Sequence, residues 1–118
     1  MAKGKSKKKP ARKKTQPLVR SSLVARSSAL SAAADVEITF TSGLGQATAS
    51  LFRKGILINM QSISMSDIIH FSDVQSGDVI VINGVCTGNA IIKINVSTAP
   101  TTPTNFTAGP FNVIYGVL

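Results

Sequence analysis

Residues 35–53 read DVEITFTSGLGQATASLFR, and this stretch decides the fold class. Val36, Ile38 and Phe40 alternate with Glu37, Thr39 and Thr41, the period of two that sets one face of a strand against a core. A helix would need apolar residues three and four apart. Gly43-Leu44-Gly45 follows as a turn; it lacks the strand–turn–helix setting of a phosphate-binding loop. Ala47–Arg53 reads as the next strand, and Ile56–Met60 as a third beyond Lys54-Gly55.

The same punctuation continues to the end of the chain. Asp67–Phe71 is ambiguous between a helical turn and a strand. Ser76-Gly77-Asp78 is a turn leading into Val79–Ile82, an apolar run of the kind found in fully buried strands. Asn83-Gly84 and Thr87-Gly88 mark the following connection, Ala90–Val96 alternates around Lys93, and Phe111–Val117 is the last strand. Between these two, STAPTTPTNFTAGP (residues 97–110) carries Pro100, Pro103 and Pro110, which exclude a central strand. Six to eight short strands with turns about every ten residues predict an all-β domain: a small antiparallel β-sandwich or a jelly-roll-like barrel. No segment can serve as a long crossover helix, so parallel pairing is not expected.

Upstream of Asp35 the chemistry changes. Residues 1–34 hold ten of the thirteen cations: Lys3, Lys5, Lys7, Lys8, Lys9, Arg12, Lys13, Lys14, Arg20 and Arg26, with no acid. Residues 35–118 hold Arg53, Lys54 and Lys93 against Asp35, Glu37, Asp67, Asp73 and Asp78, a net charge of −2. The chain therefore divides into a basic arm and connector, 1–34, and a β domain, 35–118. Residues 1–17 have no apolar side chain larger than Ala after Met1, and their like charges repel, so the arm is of a disordered type. Residues 18–34, LVRSSLVARSSALSAAA, form a short helix or an extended connector; both stay open.

Phosphates follow one another at about 1.7 Å per charge along duplex DNA, so a flexible arm with ten cations can displace counterions from several of them. No aromatic residue is interleaved for base stacking, and the expected binding is non-specific and salt-sensitive. The ten cations are the expected nucleic-acid-binding residues. KKKPARKK also suits a localisation signal or a solubilising tail. A secretory signal is disfavoured because Arg20, Arg26 and four serines interrupt the apolar stretch. A mitochondrial presequence matches the acid-free, Arg- and Ser-containing composition, although seven lysines exceed what one needs.

Catalytic and metal-binding residues are few. His70 is the lone imidazole and Cys86 the lone thiol, which excludes an intrachain disulfide and a multi-histidine metal site. Asp67 and His70, three apart, would touch on a helical turn, but His70 among Ile68, Ile69 and Phe71 reads as structural, and Cys86 as a small core residue. Asp73 and Asp78 are expected to cap turns rather than bind a cation. Asn95-Val96-Ser97 and Asn105-Phe106-Thr107 match glycosylation acceptors, which matter only in a secreted chain. The reading is a non-enzyme without a cofactor. No apolar run is long enough for a membrane span.

Only eight of the 84 residues from 35 to 118 are charged, where about a quarter is usual. Such a surface suits burial against neighbours. With KGKSKKKPARKK ahead of these charge-poor strands, the layout resembles viral coat and minor capsid proteins, in which a basic arm meets the genome and a β domain builds the shell. The resemblance lies in the layout and carries no sequence-specific motif. It implies a virion location, with partners in nucleic acid, further copies of the chain or other shell proteins. Shell jelly rolls are usually longer, which favours a penton, cement or other minor component, or a compact coat. The alternatives are a cellular architectural or ribosome-associated nucleic-acid-binding protein in the cytoplasm, and a mitochondrial protein with a presequence. Contacts are expected at Ala99–Pro110 and Phe111–Leu118, with Val113 or Val117 facing a neighbour.

Overall fold

A computed structural model describes residues 32–118, all of them in strands or the turns between strands. The strands are β1 (Ala32–Thr41), β2 (Gly45–Arg53), β3 (Ile56–Ile63), β4 (Asp67–Val74), β5 (Val79–Cys86), β6 (Asn89–Ile94), β7 (Thr98–Ala99), β8 (Thr104–Phe106) and β9 (Gly109–Val117). They form two sheets, β4-β1-β6-β8 and β3-β2-β5-β9-β7, called here the first and second sheet. Every ladder is antiparallel. The two sheets keep separate ladders, so of the two all-β alternatives the sandwich describes this domain.

The alternation read in the sequence is what assembles the core. Val36 and Ile38 of β1, Ile69 and Phe71 of β4, and Ile92 of β6 point inward from the first sheet. Ala49, Leu51, Ile80, Ile82 and Tyr115 meet them from the second. Each large aliphatic side chain removed from water in this way contributes about 1.5–3 kcal/mol. Tyr115 also needs a partner for its hydroxyl, which donates to Thr104 Oγ1 at 2.8 Å across the sandwich. Phe106 and Phe111 stack with centroids 5.1 Å apart, tying β8 to β9.

Several local expectations are corrected. β1 starts at Ala32, and Ala34, fully buried opposite Phe71, belongs to the core. Alanine's weak strand preference concealed this continuation of the alternation. Asp67–Phe71 is strand, part of β4, so Asp67 and His70 do not meet on a helical turn. Asn83-Gly84 is no turn: β5 runs through it to Cys86, between β2 and β9. A Cβ at Gly84 would sit 2.2 Å from the Gln46 carbonyl oxygen and 2.8 Å from the Phe111 ring, so this glycine serves close approach. Lys54 and Gly55 both have positive φ, 52° and 79°, and close the β2–β3 hairpin in two residues. The proline-rich segment yields β7 and β8 at the sheet margins and also the start of β9, so Pro110 does not exclude a central strand. It pairs with Val85 of β5, and β7 reaches only Gly116 and Val117, so no ladder bond is asked of the proline on its other side.

Candidate assembly surface

The ten cations Lys3, Lys5, Lys7, Lys8, Lys9, Arg12, Lys13, Lys14, Arg20 and Arg26 lie outside the described residues, so the surface built here belongs to the β domain alone. Its few charges are unevenly shared between the two sheets.

The first sheet carries Asp35 and Glu37 on β1, Asp67, His70 and Asp73 on β4, and Lys93 on β6. Asp35 and His70 are cross-strand partners, with Oδ1 and Nδ1 2.6 Å apart at exposed positions. Glu37 stands opposite Lys93. His70 is thus a surface residue in an ion-pairing position; the core expected around it is made by its neighbours Ile69 and Phe71.

Across all five strands of the second sheet the one charged residue is Arg53. Its guanidinium is turned into the protein, donating through Nε and Nη2 to the two carboxylate oxygens of Asp78, each at 2.9 Å. Nη2 also reaches the Asp73 carbonyl at 3.1 Å. Asp78 accepts a further bond from the Gln75 amide at 2.8 Å. Burial pushes the Asp78 carboxyl up, but the Arg53 hydrogen bonds, the Gln75 amide and the Arg53 charge outweigh it and hold the group below its ordinary value. Asp78 does tie a turn, as expected, and in addition neutralises the sheet's cation.

The outward face of the second sheet is uncharged; it is apolar toward the Lys54-Gly55 hairpin and polar beyond, where Ser62, Thr48, Asn83 and Asn112 form a row. Register places Met60, Ser50, Val81 and Ile114 in one row across β3, β2, β5 and β9. Leu57, Phe52, Val79 and Gly116 form the next. Met60 and Ile114 are about 60% exposed, and Leu57 about half. The run Val79–Ile82 is therefore not buried on both sides: Ile80 and Ile82 face the core, while Val79 and Val81 are half-buried on this outer face. The four consecutive aliphatic residues were the sequence signal for such a face. In a strand, half of them must point away from the core.

The final strand behaves differently from the expectation. Phe111, Tyr115 and Val117 are buried and Val113 packs against the core, so Val113 and Val117 both turn to the protomer's own interior. Ile114, next to Val113, is the exposed aliphatic side chain of this strand. The largest concentration of exposed aliphatic residues lies on β3, with Ile56, Leu57, Ile58 and Met60 between 45% and 66% exposed. Of the four outermost strands, β3 alone lacks charge and neighbouring proline, since β4 carries three ionisable residues and the opposite margins adjoin prolines.

Open grooves lie at the loop end of the second sheet. One of about 450 Å³ is lined by Gln46, Thr48, Ser62, Ser64 and Asn83 and has no titratable side chain in its wall. Cys86 is buried as a core residue, with Sγ 3.5 Å from the carbonyls of Gly88 and Thr107. Among the described residues no three His, Cys, Asp or Glu side chains are grouped to hold a metal ion, and no helix is long and apolar enough to cross a membrane. No protein-family model, no curated protein and no solved structure matches this chain.

Proposed function

We propose that this chain is a structural protein of a nucleic-acid-containing particle, most simply a virion. Its β domain packs into the shell as coat, penton or minor component, and its arm neutralises genome phosphate without reading sequence. The observation that carries this reading is the segregation of charge: ten cations without an acid in residues 1–34, followed by a domain whose second sheet exposes an uncharged face with two apolar rows. A basic arm alone would serve any nucleic-acid protein. Two apolar rows, on a domain with so few charges to keep copies apart, support assembly as the second half of the function.

Filter binding across a salt series tests the arm. Deleting residues 1–17 removes seven lysines and Arg12, and at moderate salt it weakens binding about a thousandfold or more. The intact chain discriminates less than about tenfold between sequences, having no base-reading geometry. Full affinity in the truncated chain refutes the assignment. Electron microscopy of the purified chain with nucleic acid tests the shell: regular closed particles support it, while irregular complexes with a monomeric domain favour a cellular architectural protein.

A further inference from the structure

We propose that two copies of the chain pair through β3, aligned antiparallel across a two-fold axis near Asn59 and Met60, so that two five-stranded sheets become one of ten. This rests on the assembly reading above and names the surface and the partner. The argument starts from the outermost strands of the two sheets, β4 and β8 in the first and β3 and β7 in the second. An unpaired strand edge invites pairing, and proteins that stay monomeric blunt it with charge, proline or shortness. β4 has Asp67, His70 and Asp73; β8 is three residues long and β7 two, with Pro100, Pro103 and Pro110 around them. β3 has no charge, proline or glycine in its eight residues, ILINMQSI, and its one irregularity is a bulge at Ile58, where Leu51 and Phe52 pair with Asn59 and Leu57.

Charge selects the same edge. Two copies meeting antiparallel at β4 would bring Asp67 of one near Asp73 of the other. At β3 no charges are opposed, and the apolar outer rows of the two sheets run on into each other through Met60 and Leu57. β3 is also held firm in its own protomer. Gln61 Nε2 donates to the His70 carbonyl at 2.9 Å, spanning from β3 to β4, and the hairpin turn fixes the start of the strand. A rigid edge loses less conformational freedom on pairing. The symmetric arrangement is the simplest closed one, because the same strand supplies both sides.

The test uses the full chain, nuclease-treated and in high salt so that nucleic acid does not bridge copies. Sedimentation velocity over a concentration series is run on the wild type, on Ile58→Lys/Met60→Lys and on Thr39→Lys, which alters the outer face of the first sheet. The wild type and Thr39→Lys associate, and the double variant raises the dissociation constant at least about 100-fold, through four lysines crowded at one seam. If the double variant melts without cooperativity, Met60→Lys alone carries the comparison, since that side chain is 59% exposed. Hydrogen exchange at β3 slows with concentration. A monomeric wild type overturns the proposal, as does association unchanged by the substitutions; in that second case the shell reading stands and another surface mediates it. Protection, in a monomer at all concentrations, of the β3 amides that do not bond β2 also overturns it, since the edge is then already covered within one chain. Binding to nucleic acid in the same salt series is unaffected by either substitution, so failure of pairing is separable from failure of the arm.

Discussion

Arg53 and Asp78 form a two-pronged ion pair, Nε to Oδ1 and Nη2 to Oδ2 at 2.9 Å each, with the Asp78 side chain only 2% exposed. The pair links the end of β2 to the turn before β5 and neutralises the second sheet's only charged residue, which alternates with Phe52 and so lies on the core side of the strand. A buried carboxylate without its cation is costly, and the cation without its carboxylate would sit at the margin of an apolar surface.

Replacing Asp78 with Asn lowers stability by about 2 kcal/mol at neutral pH. That figure is below the usual cost of breaking a buried pair because Arg53 keeps some contact with water. Urea unfolding at pH 7 measures it. The pH dependence follows from the lowered carboxyl. A group with a depressed folded pKa contributes stability above its unfolded value, about 3.9, and that stability is lost as pH falls through the folded value. The wild type therefore loses stability more steeply than Asp78→Asn below about pH 4. Parallel curves would show that the pair contributes nothing specific.

Tyr115→Phe removes a hydroxyl buried between the sheets and leaves Thr104 Oγ1 without its donor. The expected loss is about 1 kcal/mol. Burial, opposed by the Thr104 bond, raises the Tyr115 hydroxyl above its ordinary value. Its ionisation in alkali is consequently delayed until the domain opens, which ultraviolet difference spectra follow, since this is the chain's one tyrosine. Ionisation at the usual tyrosine pH while the fold persists contradicts the burial.

Gly84→Ala tests the middle of β5. The added methyl meets the Gln46 carbonyl oxygen and an α-carbon of β2, both backbone atoms that cannot swing aside. The strands must separate, at a cost of about 1–3 kcal/mol, read as a lower denaturant midpoint. An unchanged midpoint would show that the β2–β5 ladder yields easily.

Val113→Lys and Ile114→Lys are adjacent substitutions with opposite expected outcomes. Val113 packs on the core, so a lysine there destabilises by about 2 kcal/mol or more, whereas Ile114, 60% exposed, tolerates it within about 0.5 kcal/mol. Thermal melts of the two variants distinguish the faces of β9. Equal losses would mean that the register assigned to this strand is wrong.

Local pattern and composition alone determined that the domain is all-β and antiparallel, where its principal strands run, and that the arm and domain differ in charge. Alternation such as Val36-Glu37-Ile38-Thr39 is set by neighbours along the chain, and any partner strand satisfies it. What the tertiary structure decided was pairing between distant residues. That Arg53 finds Asp78 25 positions away, that His70 lies on the surface beside Asp35, and that Gly84 sits between two strands all depend on which strands adjoin. The same holds for the candidate assembly face. The aliphatic runs at Ile56–Ile58 and Val79–Ile82 required some apolar side chains to face outward, but only sheet order placed β3 at an edge and brought Met60, Val81 and Ile114 into one row. Strand order is chosen by the total burial of both sheets, a sum over the whole domain that no short window of sequence contains.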